Sequence, residues 1–166
     1  MKSTRISLLL AAAIAAVLVT GIYVLDSAAV DPPPPIAAEP LTARSVFVDP
    51  IDLKVKIKHH GGTRVVHVDD PSSTVVVRYT VQPGAQFPWH SHAGPVVVNI
   101  ISGALTYLPE GDCAAHTYTA GQAFIDPGQG HVHTAFNHGS QPLTFIATFF
   151  AAPATGSLLI PADPAC

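Results

Sequence analysis

Two stretches decide how this chain folds: Gly84–Gly103, GAQFPWHSHAGPVVVNIISG, and Gly121–Asn137, GQAFIDPGQGHVHTAFN. Each opens on a glycine and carries two histidines at i and i+2, His90 with His92 and His131 with His133. On a strand, residues two apart share a face with their bases about 7 Å apart, so both rings can turn towards one ion. Neutral imidazole suits Zn, Cu, Fe and Ni, and a site with three protein ligands keeps positions open for water or substrate. One such pair arises readily on a solvated strand. Two pairs, each in a strand-and-turn context, point to one shared site.

Outward from these stretches the pattern stays that of strands. Asp52–Lys58 alternates strictly, with Leu53, Val55 and Ile57 on one face and Lys54, Lys56 and Lys58 on the other, as a half-buried strand does. A wet outer face accounts for those lysines. Arg64–Asp69, Ser73–Val81, Val96–Ile101 and Leu143–Phe150 are further short runs rich in β-branched and aromatic residues. Turn dipeptides separate them, among them Pro83-Gly84, Ser102-Gly103, Ala120-Gly121 and His138-Gly139. No stretch beyond residue 41 holds a helical period over three turns. Short strands at this spacing predict an all-β, two-sheet or closed antiparallel domain.

The two opening stretches resemble the paired motifs of the cupin superfamily. The first motif is Gly, five residues, His-x-His, three or four residues, Glu, six residues, Gly. Here Gly84, His90, His92 and Gly103 fall in place, while Val96 stands at the glutamate position and Val97 at its alternative. The second motif is Gly, five residues, Pro-x-Gly, two residues, His, three residues, Asn. It is matched by Gly121, Pro127, Gly130 (after one extra residue), His133 and Asn137. The resemblance implies a double-stranded β-helix, or jelly-roll barrel, holding a divalent transition metal (Fe, Mn, Zn, Ni or Cu) on His90, His92 and His133. His131 either takes the vacant ligand position or sits at the mouth, and the extra residue in the turn breaks the parity argument there. Val96 lines the pocket without coordinating. Tyr107 is either a hydrogen-bonding wall of the pocket or a core filler. Asp126, before Pro127, is read as a turn residue capping backbone donors.

Composition narrows the partners. Of 166 residues 48% are hydrophobic and 11% charged, which excludes a highly charged disordered chain. Eight Lys and Arg against eleven Asp and Glu leave a net charge of −3 and no basic stripe, so nucleic acid is not an expected partner. The chain has no nucleophile elbow, phosphate loop or dinucleotide glycine pattern. His59, His60, His67, His116 and His138 fit no ligand spacing and read as surface or turn histidines.

The N-terminus reads as a targeting segment. Lys2 and Arg5 precede Ile6–Leu25, an uncharged apolar run, and Ser27-Ala28-Ala29 offers a peptidase site. Residues 1–29 are therefore a cleaved signal peptide or a retained membrane anchor helix, and the rest is extracytoplasmic. Asp31–Pro40 reads DPPPPIAAEP, so 30–43 is taken as a stiff Pro-rich linker. A cupin domain over 44–152 and a C-terminal tail over 153–166 complete the division. Cys113 and Cys166 are the only thiols. In an oxidising compartment they are expected to bridge and pin the tail onto the barrel, reduction loosening the tail while leaving the metal site in place.

Two functions stay open: a metal-dependent enzyme of dioxygenase-like or isomerase-like kind acting on a small molecule, or a non-catalytic protein that captures a small ligand or the metal itself. Nothing in the sequence excludes a homodimer.

Overall fold

The computed structural model describes residues 35–59, 62–111 and 113–166, all within one compact unit, Pro32–Cys166. The basic leader, the apolar run Ile6–Leu25 and the peptidase site lie outside the described residues. Among those described, every regular element is a β-strand, and no helix is long and apolar enough to cross a membrane.

The strands are β1 Ile36–Pro40, β2 Ser45–Val46, β3 Asp52–His59, β4 Gly62–Asp69, β5 Ser73–Val81, β6 His90–Ser91 and β7 Val96–Ser102. There follow β8 Ala104–Pro109, β9 His116–Thr119, β10 Ala123–Asp126, β11 His133–Phe136, β12 Leu143–Phe150 and β13 Ile160–Pro161. They form one sheet in the order β1-β5-β12-β7-β10, with β2 also on β5, and a second in the order β13-β6-β11-β8-β9. All pairings are antiparallel. The all-β architecture is consistent with the double-stranded β-helix that the resemblance implies.

Alternation builds the core. Along β5 and β12 every second side chain is buried, and the register sets Val81 opposite Leu143, Tyr79 opposite Phe145, Val77 opposite Ala147 and Val75 opposite Phe149. Cross-strand partners project to the same face, so these eight residues make one apolar surface. Val96, Val98 and Ile100 of β7 extend it, and Leu105 and Ala135 of the second sheet join the same core. Each large aliphatic or aromatic side chain so buried contributes about 1.5–3 kcal/mol. Tyr79 and Phe145 stack with centroids 5.0 Å apart. Ser73–Val81 and Leu143–Phe150 are strands over the span their alternation predicts, and β3, β4 and β7 run a residue or two further than expected.

Part of the stretch read as a linker is not a spacer. Ile36–Pro40 pairs along its length with Val77–Val81 of β5. The proline run ends at Pro35, so Ile36 to Glu39 have amides to offer, and Pro40 is tolerated because β1 lies at a sheet edge. The β3–β4 hairpin is a separate two-stranded arm. Its Val66 and Val68 are buried, and Gln129 Nε2 donates to the His67 carbonyl at 3.0 Å.

The C-terminal segment is docked. β13 pairs with β6, setting Ile160 opposite Ser91 and Pro161 opposite His90. Arg44 donates to the carbonyls of Pro153 and Gly156. A disulfide joins Cys113 to Cys166, whose Cα atoms are 5.7 Å apart.

Candidate metal centre

The strand pairings bring both motifs to one place. His90 lies on β6 and His133 opens β11, and the two are direct register partners. His92 follows β6 by one residue, and its carbonyl accepts the Gln129 amide at 2.8 Å. That bond ties the loop after β6 to the turn before His133. Gly128 in the same turn has φ +61°, and a Cβ there would run into the Gly94 carbonyl. Only glycine allows the two loops so close.

His90, His92 and His133 are all buried, and one ring nitrogen from each lies within 4.8 Å of the others. One nitrogen of each ring, Nδ1, is already engaged. His90 Nδ1 meets the Pro88 carbonyl at 2.6 Å and His92 Nδ1 the Leu158 carbonyl at 2.8 Å. His133 Nδ1 meets Asp126 Oδ2 at 3.1 Å and the His131 carbonyl at 3.4 Å. A carbonyl only accepts, so the Nδ1 atoms of His90 and His92 carry the hydrogens and their Nε2 lone pairs are left bare. Metal-binding histidines are held in this way, with the far nitrogen donating to a carbonyl or carboxylate. The residues present therefore fit a transition-metal ion. Burial, then the neighbouring His133 ring, pulls His90 down to about 3, and burial lowers His133 too, so both rings are neutral near pH 7.

The sequence reading missed the residue that organises the far side. Asp126 is 2% exposed and Oδ1 accepts the Gly128 amide at 2.8 Å, which is the turn cap expected of it. Its Oδ2 does more. It accepts the Tyr107 hydroxyl at 2.5 Å and lies 3.1 Å from His133 Nδ1 and 3.4 Å from His131 Nδ1. Burial works against the carboxylate's charge, but the facing His133, His131 and Tyr107 outweigh it, and its pKa falls below the usual carboxylate range. Burial and this carboxylate push the Tyr107 hydroxyl far up, so it stays a donor. Asp126 is the cross-strand partner of Val96 on β7. The signal that was available is an acid closing the otherwise apolar run Ala123–Ile125.

Other candidates fall as follows. Val96 is 2% exposed and lines the cavity beside the histidines. Tyr107 is both wall and filler, buried among core residues with its hydroxyl on Asp126. His131 does not join the first trio. It precedes β11, where parity does not hold, and its Nδ1 turns to Asp126 and Tyr107. With Asp126 and His133 it forms a second buried grouping within 4.8 Å. Asn137 is structural: its amide donates to the Val81 and Gln141 carbonyls, and its Oδ1 accepts the Gly139 amide. The residues read as a tail run across the site, because the Leu158 carbonyl orients His92 and Leu159 lines the cavity.

The inner cavity is small, about 40 Å³, and mostly apolar. A wider cleft of about 950 Å³ lies beyond it, lined by Lys56, Lys58 and Arg64 of the arm and by Glu110 and His131 opposite. Tyr107 and Phe124 line both.

Residues 77–149 match the Cupin domain family. No curated protein matches the chain in sequence. Among solved structures it is similar to an uncharacterised conserved protein with a double-stranded β-helix domain from Klebsiella pneumoniae subsp. pneumoniae. There identity is 23% and the TM-score 0.45, over 72% of this chain and 91% of that one. It is also similar to the cupin domain of an XRE family transcriptional regulator from Enterobacter cloacae, at 19% identity and TM-score 0.44, over 69% and 95%. A polyketide cyclase from Streptomyces resistomycificus is 18% identical with TM-score 0.43, over 47% and 54%, so the chain spans about half of that protein's length.

Proposed function

The chain carries a domain of the cupin superfamily, and from that premise we propose that it is an exported, metal-dependent cupin acting on a small molecule. His90, His92 and His133 hold one divalent transition-metal ion through Nε2. The observation that carries this reading is the engagement of all three Nδ1 atoms by backbone carbonyls, which leaves the Nε2 lone pairs of three clustered rings for one ion. Bound there, such an ion would act as a Lewis acid or redox centre with open positions for water or substrate.

The protein's own residues restrict what reaches it. A cavity of about 40 Å³ takes a water or a ligand of a few atoms, and Val96, Leu105, Phe145 and Phe149 make the rest of its wall apolar. The neighbouring cleft, which shares Tyr107 and Phe124 with the cavity, is lined by Lys56, Lys58 and Arg64 against Glu110 and favours an anionic molecule. The disulfide supports a location outside the cytoplasm, where such a bond persists, whether the N-terminal segment is cleaved or stays as an anchor.

One observation favours the second reading, capture of a metal or ligand without turnover. Asp126, the carboxylate that lines the inner cavity, is committed to Gly128, Tyr107, His131 and His133 and is not free to act as a general base.

Elemental analysis tests the proposal. Protein purified without chelator should carry close to one transition-metal ion per chain, and His90→Ala, His92→Ala and His133→Ala should each lower occupancy sharply. Metal-free protein that takes up none of Zn, Fe, Mn, Ni and Cu would overturn it.

A further inference from the structure

The motif glutamate is missing at Val96, and the side chain directly across the strand pair from Val96 is Asp126. Cross-strand partners in an antiparallel pair project to the same face with Cβ atoms about 5 Å apart. The cavity therefore has its carboxylate, carried by the neighbouring strand β10 instead of β7. From there its Oδ2 lies 3.1 Å from His133 Nδ1, the nitrogen of that ring that is already engaged.

We propose that Asp126 is the positioning residue of the metal centre: it caps the turn that carries His133, its charge facing His133 Nδ1 favours hydrogen on that nitrogen, and it supplies, one layer out, the negative charge that the glutamate position lacks. This rests on the three-histidine reading above. Its two oxygens have divided duties. Oδ1 holds the Gly128 amide, and with it the turn that sets His133 against His90. Oδ2 lies 3.1 Å from His133 Nδ1 and is itself held by the Tyr107 hydroxyl at 2.5 Å. The hydrogen bond of His133 Nδ1 goes to the His131 carbonyl at 3.4 Å, which carries no charge, so the charge facing this nitrogen is that of Asp126. A buried divalent ion on neutral ligands lacks a nearby counter-charge, and Asp126 is the carboxylate lining the cavity that provides one.

The division of duties makes Asp126→Asn the decisive variant. Asparagine has one acceptor oxygen where the structure uses two. If that oxygen keeps the Gly128 amide, the Nδ2 hydrogens face His133 and drive its hydrogen onto Nε2, where it blocks the metal. If the oxygen serves His133, the turn loses its cap. Were Asp126 only a turn cap, asparagine, an equally good residue for such turns, would be silent.

The test titrates Co(II) and Zn(II) into metal-free wild-type, Asp126→Asn and Asp126→Glu protein, reading affinity and the Co(II) visible spectrum. Loss of a carboxylate behind a ligating histidine weakens metal binding by about 10–100-fold. That loss is expected for the asparagine variant, with an altered Co(II) spectrum and partial recovery in the glutamate variant. Equal affinity and an unchanged spectrum in Asp126→Asn would overturn the inference while leaving the three-histidine reading intact. Wild-type protein that binds neither ion would overturn both. A measurement on metal-free wild type needs no variant: 15N–1H correlation of the imidazoles should show the hydrogen of His133 on Nδ1, and finding it on Nε2 would overturn the assignment.

Discussion

Removing the Cys113–Cys166 bridge should both soften the domain and weaken its metal site. The cysteines are 53 positions apart, and the closed loop contains β9 to β13, including His133 and the docked C-terminal segment. On the chain-entropy model, closing a loop of that length removes about 14 cal/mol/K from the unfolded chain, or about 4 kcal/mol at 25 °C. For a domain of this size, with about 2.1 cal/mol/K of unfolding entropy per residue, that corresponds to a Tm lower by about 15 °C at most. The second effect runs through Leu158. Its carbonyl accepts the His92 Nδ1–H at 2.8 Å, and Ile160 and Pro161 hold β6 from the side. With the segment released, His92 loses its outer partner, so the metal site is not left untouched as the sequence reading expects, and metal binding should weaken by about 10-fold. A double Cys113→Ser, Cys166→Ser variant is preferable to added thiols, which would compete for the metal. Calorimetry of the metal-free proteins gives the first number and competition titration with Zn(II) the second. A Tm within about 2 °C of wild type would refute the staple, and unchanged Zn(II) affinity would refute the link from segment to site.

Acid should destabilise the metal-free protein through the buried histidines. In the unfolded chain His90 takes its proton near the ordinary 6.5, whereas in the folded protein it resists down to about 3. The unfolded state thus binds more protons across that window, and stability falls as pH drops through it, by up to about 1.4 kcal/mol per pH unit for this one group. Urea midpoints measured from about pH 7 to pH 4 check this, and a flat profile would count against burial of a neutral His90. Val96→Glu places a second buried carboxylate opposite Asp126 and should cost the metal-free protein about 3 kcal/mol. Bound metal should recover much of that loss through the new ligand, so Mn(II) or Fe(II) should raise the variant's Tm more than the wild type's. Equal shifts would place residue 96 outside the coordination sphere.

What the sequence made legible was whatever depends on neighbours along one strand. The alternations in Ser73–Val81 and Leu143–Phe150 are written in side-chain polarity with period two, and the strands follow them. The histidines at 90, 92 and 133 sit at motif spacings, and the structure brings them together. What depends on pairing between strands was not legible. That Asp126 lies across from Val96 is a matter of β7–β10 register, which no local pattern specifies. Irregular backbone hid the rest. His131 and His133 look like a strand pair, yet the turn through Gln129 and Gly130, both at positive φ, delays β11 until His133. Ile36–Pro40 looked like spacer because prolines dominate the stretch Asp31–Pro40 around it, although Ile36 to Glu39 are free to pair.

The strand β13 also bears on when the centre comes into being. The carbonyl that orients His92 arrives 66 residues after it in the chain, and the docked strand arrives with it. A growing polypeptide that has already produced both histidine motifs still lacks that partner, so an ion met early is held by an incomplete set. Chains are made at about 5–20 residues per second, which leaves an interval of seconds before the missing piece emerges. Simple affinity orders the divalent metals the same way in nearly any nitrogen site, so availability does much of the choosing. An ion bound at the proposed centre should therefore reflect the surroundings in which β13 docks, and moving that event between compartments should change the metal without changing a single ligand.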